Sequence, residues 1–217
     1  MKVFTIIAFI LLTPCLAAAQ PGTYTIIFLN KKTTAETLSK HDLDKIMAGH
    51  LANIKRLAQE KKLLAAGPFE GGGGILILNT SRLEEARQWI ATDPGIQADR
   101  WNVEVLPYTP RYGSICTVSE PYQMTSYTLV RFDALVTKFT AQDFPEIIAQ
   151  HDAYLKTLIA TGNIITEAIF GIHDGGILII QGTLQQEVIE ADPAVQQELL
   201  NTQTHTLWIA KGSFCEK

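Results

Sequence analysis

The sequence predicts an α+β fold: two ferredoxin-like βαββαβ repeats packed against each other as an intrachain dimeric α+β barrel. Three observations predict it. First, short segments recur in the same order. YTIIFL at Tyr24–Leu29 returns as YTLVRF at Tyr127–Phe132, and GGILIL at Gly73–Leu78 returns as GGILII at Gly175–Ile180. Asp93–Pro94 returns as Asp192–Pro193, and GSIC at Gly113–Cys116 returns as GSFC at Gly212–Cys215. The offsets are 103, 102, 99 and 99, the signature of a tandem duplication. Second, apolar spacing between these landmarks alternates between strand and helix periods in the same order in each repeat. Third, ILIL and ILII are apolar on both faces. The face that the helices of one repeat leave bare therefore needs a cover, and the other repeat supplies it.

The elements follow in order. The first strand is Tyr24–Leu29, or Tyr127–Phe132 in the second repeat. A helix from about Asp42 to Lys62 carries Met47, Leu51, Ile54, Leu57 and Ala58 at helical spacing. In the second repeat Ile147, Ile148, Tyr154, Leu155, Leu158 and Ile159 do the same, and Gly162 ends the helix. A strand follows at Leu63–Phe69 or Ile164–Phe170, then a glycine-bearing turn into a third strand at Ile75–Asn79 or Ile177–Gln181. Four consecutive glycines, Gly71–Gly74, make the first of these turns, and His173–Asp174 makes the second a polar one. A second helix covers Leu83–Thr92 or Leu184–Ala191, and a last strand covers Val103–Tyr108 or Thr206–Ala210.

Composition bounds the function. With 217 residues, 47% hydrophobic and 18% charged, the chain is neither disordered nor fibrous. A formal charge of −4 offers no basic footprint for nucleic acid or an anionic membrane. The N-terminal MKVFTIIAFILLTPCLAAAQ has one charge, Lys2, a short apolar run and the small residues Ala17 and Ala19. It reads as a secretory signal cleaved after Ala19. The expected organisation is a signal peptide at 1–19, a first repeat at 20–119 and a second at 124–217. The expected home is the periplasm or the exterior, with no membrane association after cleavage. Two cysteines then remain, Cys116 and Cys215, at equivalent places in an oxidising compartment. They form either a disulfide across the pseudo-twofold axis or two separate thiols.

The stretch HLANIKRLAQEKKLLAAGPF at His50–Phe69 resembles the first helix and second strand of YciI-like (YCII-related) proteins, with a His-Leu start and an Ala-Gly-Pro strand end. EEARQWIATDPGIQAD at Glu84–Asp99 resembles that family's helix ending in Asp-Pro. The second repeat is similar more weakly: it keeps His151 and Asp192–Pro193 but has Ala168–Ile169 in place of Gly67–Pro68. The resemblance implies a small-molecule cavity and a histidine–aspartate pair, here His50 and Asp93, with His151 and Asp192 as the second set and Gly67 and Pro68 beside the ligand. Some relatives are linked to halide removal from chlorinated aromatic compounds.

Read physically, His50 lies at the margin of the apolar helix face, where a half-buried imidazole beside a carboxylate suits proton transfer. It equally suits a core histidine bonded to backbone. Asp followed by Pro is equally an N-cap and first position of a new short helix. No P-loop, dinucleotide fingerprint, nucleophile elbow or metal-ligand spacing is present. The expected function is an exported protein with a small-molecule site. That site performs cofactor-free, metal-free acid–base catalysis, an elimination or isomerisation, or it binds without catalysis, or the domain is purely structural. The partner is a small-molecule ligand, and the chain is a pseudo-dimer in itself and monomeric.

Overall fold

In the computed structural model, which describes residues 23–135, 144–171 and 175–216, the strands form wherever the apolar runs demand burial. The expected signal segment and the His173–Asp174 turn lie outside these residues. In the first half, β1 (Tyr24–Lys31) leads to α1 (Lys40–Gln59), then β2 (Leu63–Pro68) and β3 (Gly74–Leu78). After these come α2 (Leu83–Ile90), the four-residue α3 (Pro94–Gln97) and β4 (Trp101–Tyr112). The second half repeats the order with β5 (Met124–Ala134), α4 (Phe144–Ile159), β6 (Ile164–Ile169), β7 (Gly175–Ile180), α5 (Gln186–Glu190), α6 (Pro193–Gln196) and β8 (Leu200–Ala210).

The two-faced apolar strands find cover on both sides. Ile75 and Ile77 of β3 face an interior cluster that draws on both halves, with Phe28, Tyr108, Leu129, Phe170, Leu207 and Phe214 among its members. Leu76 and Leu78 face the helices, packing with Ile27, Leu57, Ala86 and Ile90. The second half has the matching helix-side cluster around Val130, Leu155, Leu178 and Ile180. Each such side chain contributes about 1.5–3 kcal/mol on full burial. Arg131 on β5 also ties the halves together. Its guanidinium pairs with Glu104 of β4 at 2.7 Å and lies 4.3 Å over the ring of Phe28.

The closed barrel expected from the sequence is corrected. The strands form one eight-stranded sheet in the order β2-β3-β1-β4-β6-β7-β5-β8, and it is not closed. Neighbours are antiparallel, and the halves join edge to edge where Thr109, Pro110 and Tyr112 of β4 meet Ile169, Ala168 and Glu167 of β6. At the other edge β8 reaches β2 through one isolated bridge, Phe69 to Leu207, and a bond from the Glu70 N–H to the Thr206 carbonyl at 2.9 Å. Backbone donors alternate sides along a strand. The next donor facing β8 after Glu70 would therefore be that of residue 68, a proline with no N–H. Ile169, at the corresponding position, has its N–H, and that edge carries a ladder. Side-chain contact takes over at the open seam: Phe69 stacks on His205 at 4.2 Å.

The helix face also differs from the expectation. α1 buries His50, Asn53 and Leu57, whereas Leu51 is 62% exposed. Of the expected stripe, Leu57 is in the core and Ile54 and Ala58 pack against it, but Met47, Leu51, Ile54 and Ala58 also line a groove. Strand β4 runs well past the expected Tyr108 because its tail is the one that pairs with β6.

Candidate functional site

Asp93 ends the turn after α2 and caps α3. Its Oδ1 accepts from the N–H groups of Gly95 at 2.8 Å and Ile96 at 3.2 Å, with Pro94 at the first helical position. The capping role leaves Oδ2 free, and Oδ2 accepts from His50 Nδ1 at 2.8 Å and from Asn53 Nδ2 at 3.0 Å. Asp93 therefore caps α3 and contacts His50 at once. Close approach of α1 to α3 depends on Gly49, where a Cβ would lie 2.9 Å from Pro94 Cγ. Asn53 is held in turn: its Oδ1 accepts from Arg56 Nη2 at 2.8 Å and Thr92 Oγ1 at 3.1 Å. Trp101 closes the other side, its ring 4.8 Å from that of His50.

His50 and Asp93 are buried, with 9% and 2% of their side chains exposed. Burial on its own would raise the Asp93 carboxyl. The bond and charge of His50, the Asn53 amide and the Ile96 N–H outweigh it and hold the group below its ordinary value of 3.8. An ionised Asp93 accepting from Nδ1–H leaves Nε2 as the ring atom free to exchange a proton.

His50 opens on a groove of about 760 Å³, within the size range of organic-ligand sites. Gly67 and Pro68 line it too. At Gly67 a Cβ would sit 2.6 Å from the Trp208 carbonyl, so only glycine lets β2 approach β8 this closely.

The second half builds a matching pair and then closes it. His151 Nδ1 lies 2.6 Å from Asp192 Oδ2, and Asp192 Oδ1 caps α6 through the Ala194 N–H at 2.9 Å. Tyr154 stands where Asn53 would be and bonds the Val188 carbonyl instead. The cavity at His151 measures only about 80 Å³. Arg111 crosses from β4 to bond Glu167 at 2.7 Å and Asp152 at 2.8 Å. The corresponding positions around His50 hold Ala210, from β8, with Ala66 and Leu51, small or apolar, and all three line the open groove. Ala168 and Ile169 do line the small cavity. The ion triad that closes it left no local signal, because Arg111 acts on the other half of the chain.

Cys116 and Cys215 are joined in a disulfide, their Cα atoms 5.2 Å apart across a separation of 99 residues. Among the described residues no group of three His, Cys, Asp or Glu could hold a metal ion. Among the same residues no helix is long and apolar enough to cross a membrane.

No curated protein matches the chain. Among solved structures, a provisionally named monooxygenase from Fusobacterium nucleatum matches at a TM-score of 0.44 and 9% identity, covering 89% of this chain and 94% of that one. That likeness is too low to carry an argument. Residues 23–109 match the model of the YCII-related domain. That span contains His50, Asn53, Gly67 and Asp93, so a YCII-related domain is present over the part of the chain that holds the open site.

Proposed function

We propose that this is an exported tandem YciI-like protein. In this reading its first half performs cofactor-free acid–base chemistry, an elimination or isomerisation, on a small organic molecule. The observation that carries the reading is the buried His50–Asp93 pair, 2.8 Å apart, at the wall of a groove of about 760 Å³. Asp93 holds the Nδ1–H tautomer and stabilises the imidazolium once it forms. Nε2 takes a proton from the substrate and returns it to another atom of the same molecule or to the leaving group. Gly67 and Pro68 shape the floor. The disulfide supports export, since such bonds persist in oxidising compartments. His151 and Asp192 serve as structure, behind the Arg111 triad.

Mass spectrometry of compounds that co-purify with the protein identifies candidate substrates, and turnover of each is then compared among variants. His50→Ala is expected to abolish turnover with little loss of fold, and His151→Ala to cost stability and leave turnover. Equal functional loss from the two would refute the assignment. N-terminal sequencing of the exported protein is expected to read from Gln20.

A further inference from the structure

We infer that the groove beside His50 takes organic acids: molecules with an apolar body and a carboxylate head seated next to the imidazole. This deepens the proposed function and rests on its site, although the binding it describes is measured independently of catalysis.

The apolar body is called for by the walls. Leu51 and Trp208, 62% and 51% exposed, both line the groove, together with Ile54 and Ala66. Large apolar side chains are seldom left this open together on a soluble surface without an occupant. The volume matches a small ligand. The second half supplies an internal contrast, because there the positions of Leu51, Ala66 and Ala210 carry Asp152, Glu167 and Arg111, and the cavity shrinks to about 80 Å³.

The carboxylate is called for by charge. The chain as a whole is negative, with 22 acidic against 18 basic residues, yet the groove gathers Lys31, Lys32, Lys55 and Arg100. Lys32 pairs with Asp99, and Arg100 donates to the Glu36 carbonyl at 2.6 Å. Lys31 and Lys55 have no ion-pair partner among the described residues. Lys31 ends β1 and passes beside Gly72, and Arg100 directly precedes Trp101, whose tilted ring lies 4.8 Å from that of His50. Lys31 and Arg100 thus lie toward the histidine end, and Lys55 is on α1 beyond His50. The lining carboxylate, Glu120, is on the segment between Cys116 and β5. A concave, low-dielectric wall bearing one sign of charge concentrates ligands of the other sign. The bulky apolar half of such a ligand fixes its direction, head toward His50.

Three probes with one body test this: 4-phenylbutanoate, 4-phenylbutan-1-ol and 4-phenylbutylamine, titrated calorimetrically into the disulfide-intact protein at neutral pH and low salt. Trp101 and Trp208 fluorescence gives a second readout. The acid is expected to bind about tenfold tighter than the alcohol, with the amine weakest and the preference fading as salt is raised. Lys31→Gln with Lys55→Gln is expected to bring acid and alcohol to within about threefold of each other while leaving the alcohol unchanged. Trp208→Ser is expected to weaken both. An alcohol or amine that binds as well as the acid overturns the proposal. So does binding of none of the three, or a groove filled by a second copy of the chain, seen as a dimer in sedimentation that Trp208→Ser dissociates. Should the acid bind selectively while His50→Gln leaves turnover intact, the ligand class stands and the acid–base role falls.

Discussion

Replacing Asp93 with asparagine isolates what the carboxylate does for the imidazole. The Asn carbonyl keeps the cap, accepting from Gly95 and Ile96 as Oδ1 does now. The new amide nitrogen then faces His50 Nδ1 and Asn53 Nδ2, both of which donate at present. It can donate to His50 only if Nδ1 gives up its proton, so the neutral ring switches to the Nε2–H tautomer. Asn53 has no such escape. Turning its amide would pull Oδ1 away from Arg56 and Thr92, which hold it at 2.8 and 3.1 Å. One charge-assisted bond is lost, at about 1.5–3 kcal/mol, and another falls to neutral strength, at about 1 kcal/mol. The expected destabilisation is about 3 kcal/mol, or a melting temperature lower by about 6–12 °C in a chain of this size. Activity through Nε2 as base is expected to fall by about 10²-fold or more. Asp192→Asn meets no second amide and is expected to cost about 1 kcal/mol. Thermal melts give the stabilities, and long-range ¹⁵N–¹H spectra of the imidazoles give the tautomer. A His50 ring that keeps its proton on Nδ1 in Asp93→Asn, with a melting shift below about 2 °C, would refute the role assigned to Asp93.

Three further outcomes are expected. Arg111→Ala leaves Glu167 buried without its cation and lowers stability by about 2 kcal/mol. Adding Glu167→Ala recovers most of it and enlarges the His151 cavity, which thermal melts and a crystal structure of the double variant would show. Acid weakens the fold through two carboxylates. Glu104, held down chiefly by its bond to Arg131, and Asp93 both titrate below their ordinary values of 4.5 and 3.8. Their stabilisation is therefore complete above those values and is lost as pH falls through the lower folded ones, because the unfolded chain takes up the protons first. Urea titrations across the acid range read this, and Asp93→Asn removes the Asp93 part of the acid dependence. Finally, reducing Cys116–Cys215 releases a loop set by the 99-residue separation, worth about 4–5 kcal/mol in the chain-entropy model. An unchanged melt under reductant would show that the bond constrains little.

Much of this was legible because burial on both faces leaves a plain mark. Ile75–Leu78 and Ile177–Ile180 are apolar at every position, and such a strand has to sit between two layers. The Asp-Pro pairs were legible as caps because proline fixes the first helical φ and aspartate accepts from the next two N–H groups. The face of α1 was legible only in part. Met47, Leu51, Ile54 and Ala58 have the period of a core stripe, and periodicity cannot tell a core from the wall of an apolar groove. The polar residues His50 and Asn53 went inside together with Leu57, because Asp93 satisfies both. Gly49 did carry a signal: a glycine inside a helix costs up to about 1 kcal/mol relative to alanine, so its presence asks for a close neighbour, which is Pro94.

The departure of Ala168–Ile169 from Gly67–Pro68 carries more than its own two positions suggest. Where isoleucine stands, the strand keeps its donor, pairs with β4, and draws the tail of β4 across the outside of the second half. Arg111 is on that tail, so the hydrogen-bonded edge itself delivers the cation that closes the His151 cavity. Where proline stands, β8 is held by a single bridge, and Ala210, at the place corresponding to Arg111, leaves the groove open. Pairing and pocket size therefore vary together: the proline that denies β8 a ladder also forms part of the floor beside His50. Restoring the donor with Pro68→Ile is expected to lengthen the β2–β8 pairing, slow amide exchange along β8, and narrow the groove toward the size of its neighbour. Exchange protection that stays at the single Phe69–Leu207 bridge would separate the two effects and show that the open edge has a cause other than the missing N–H.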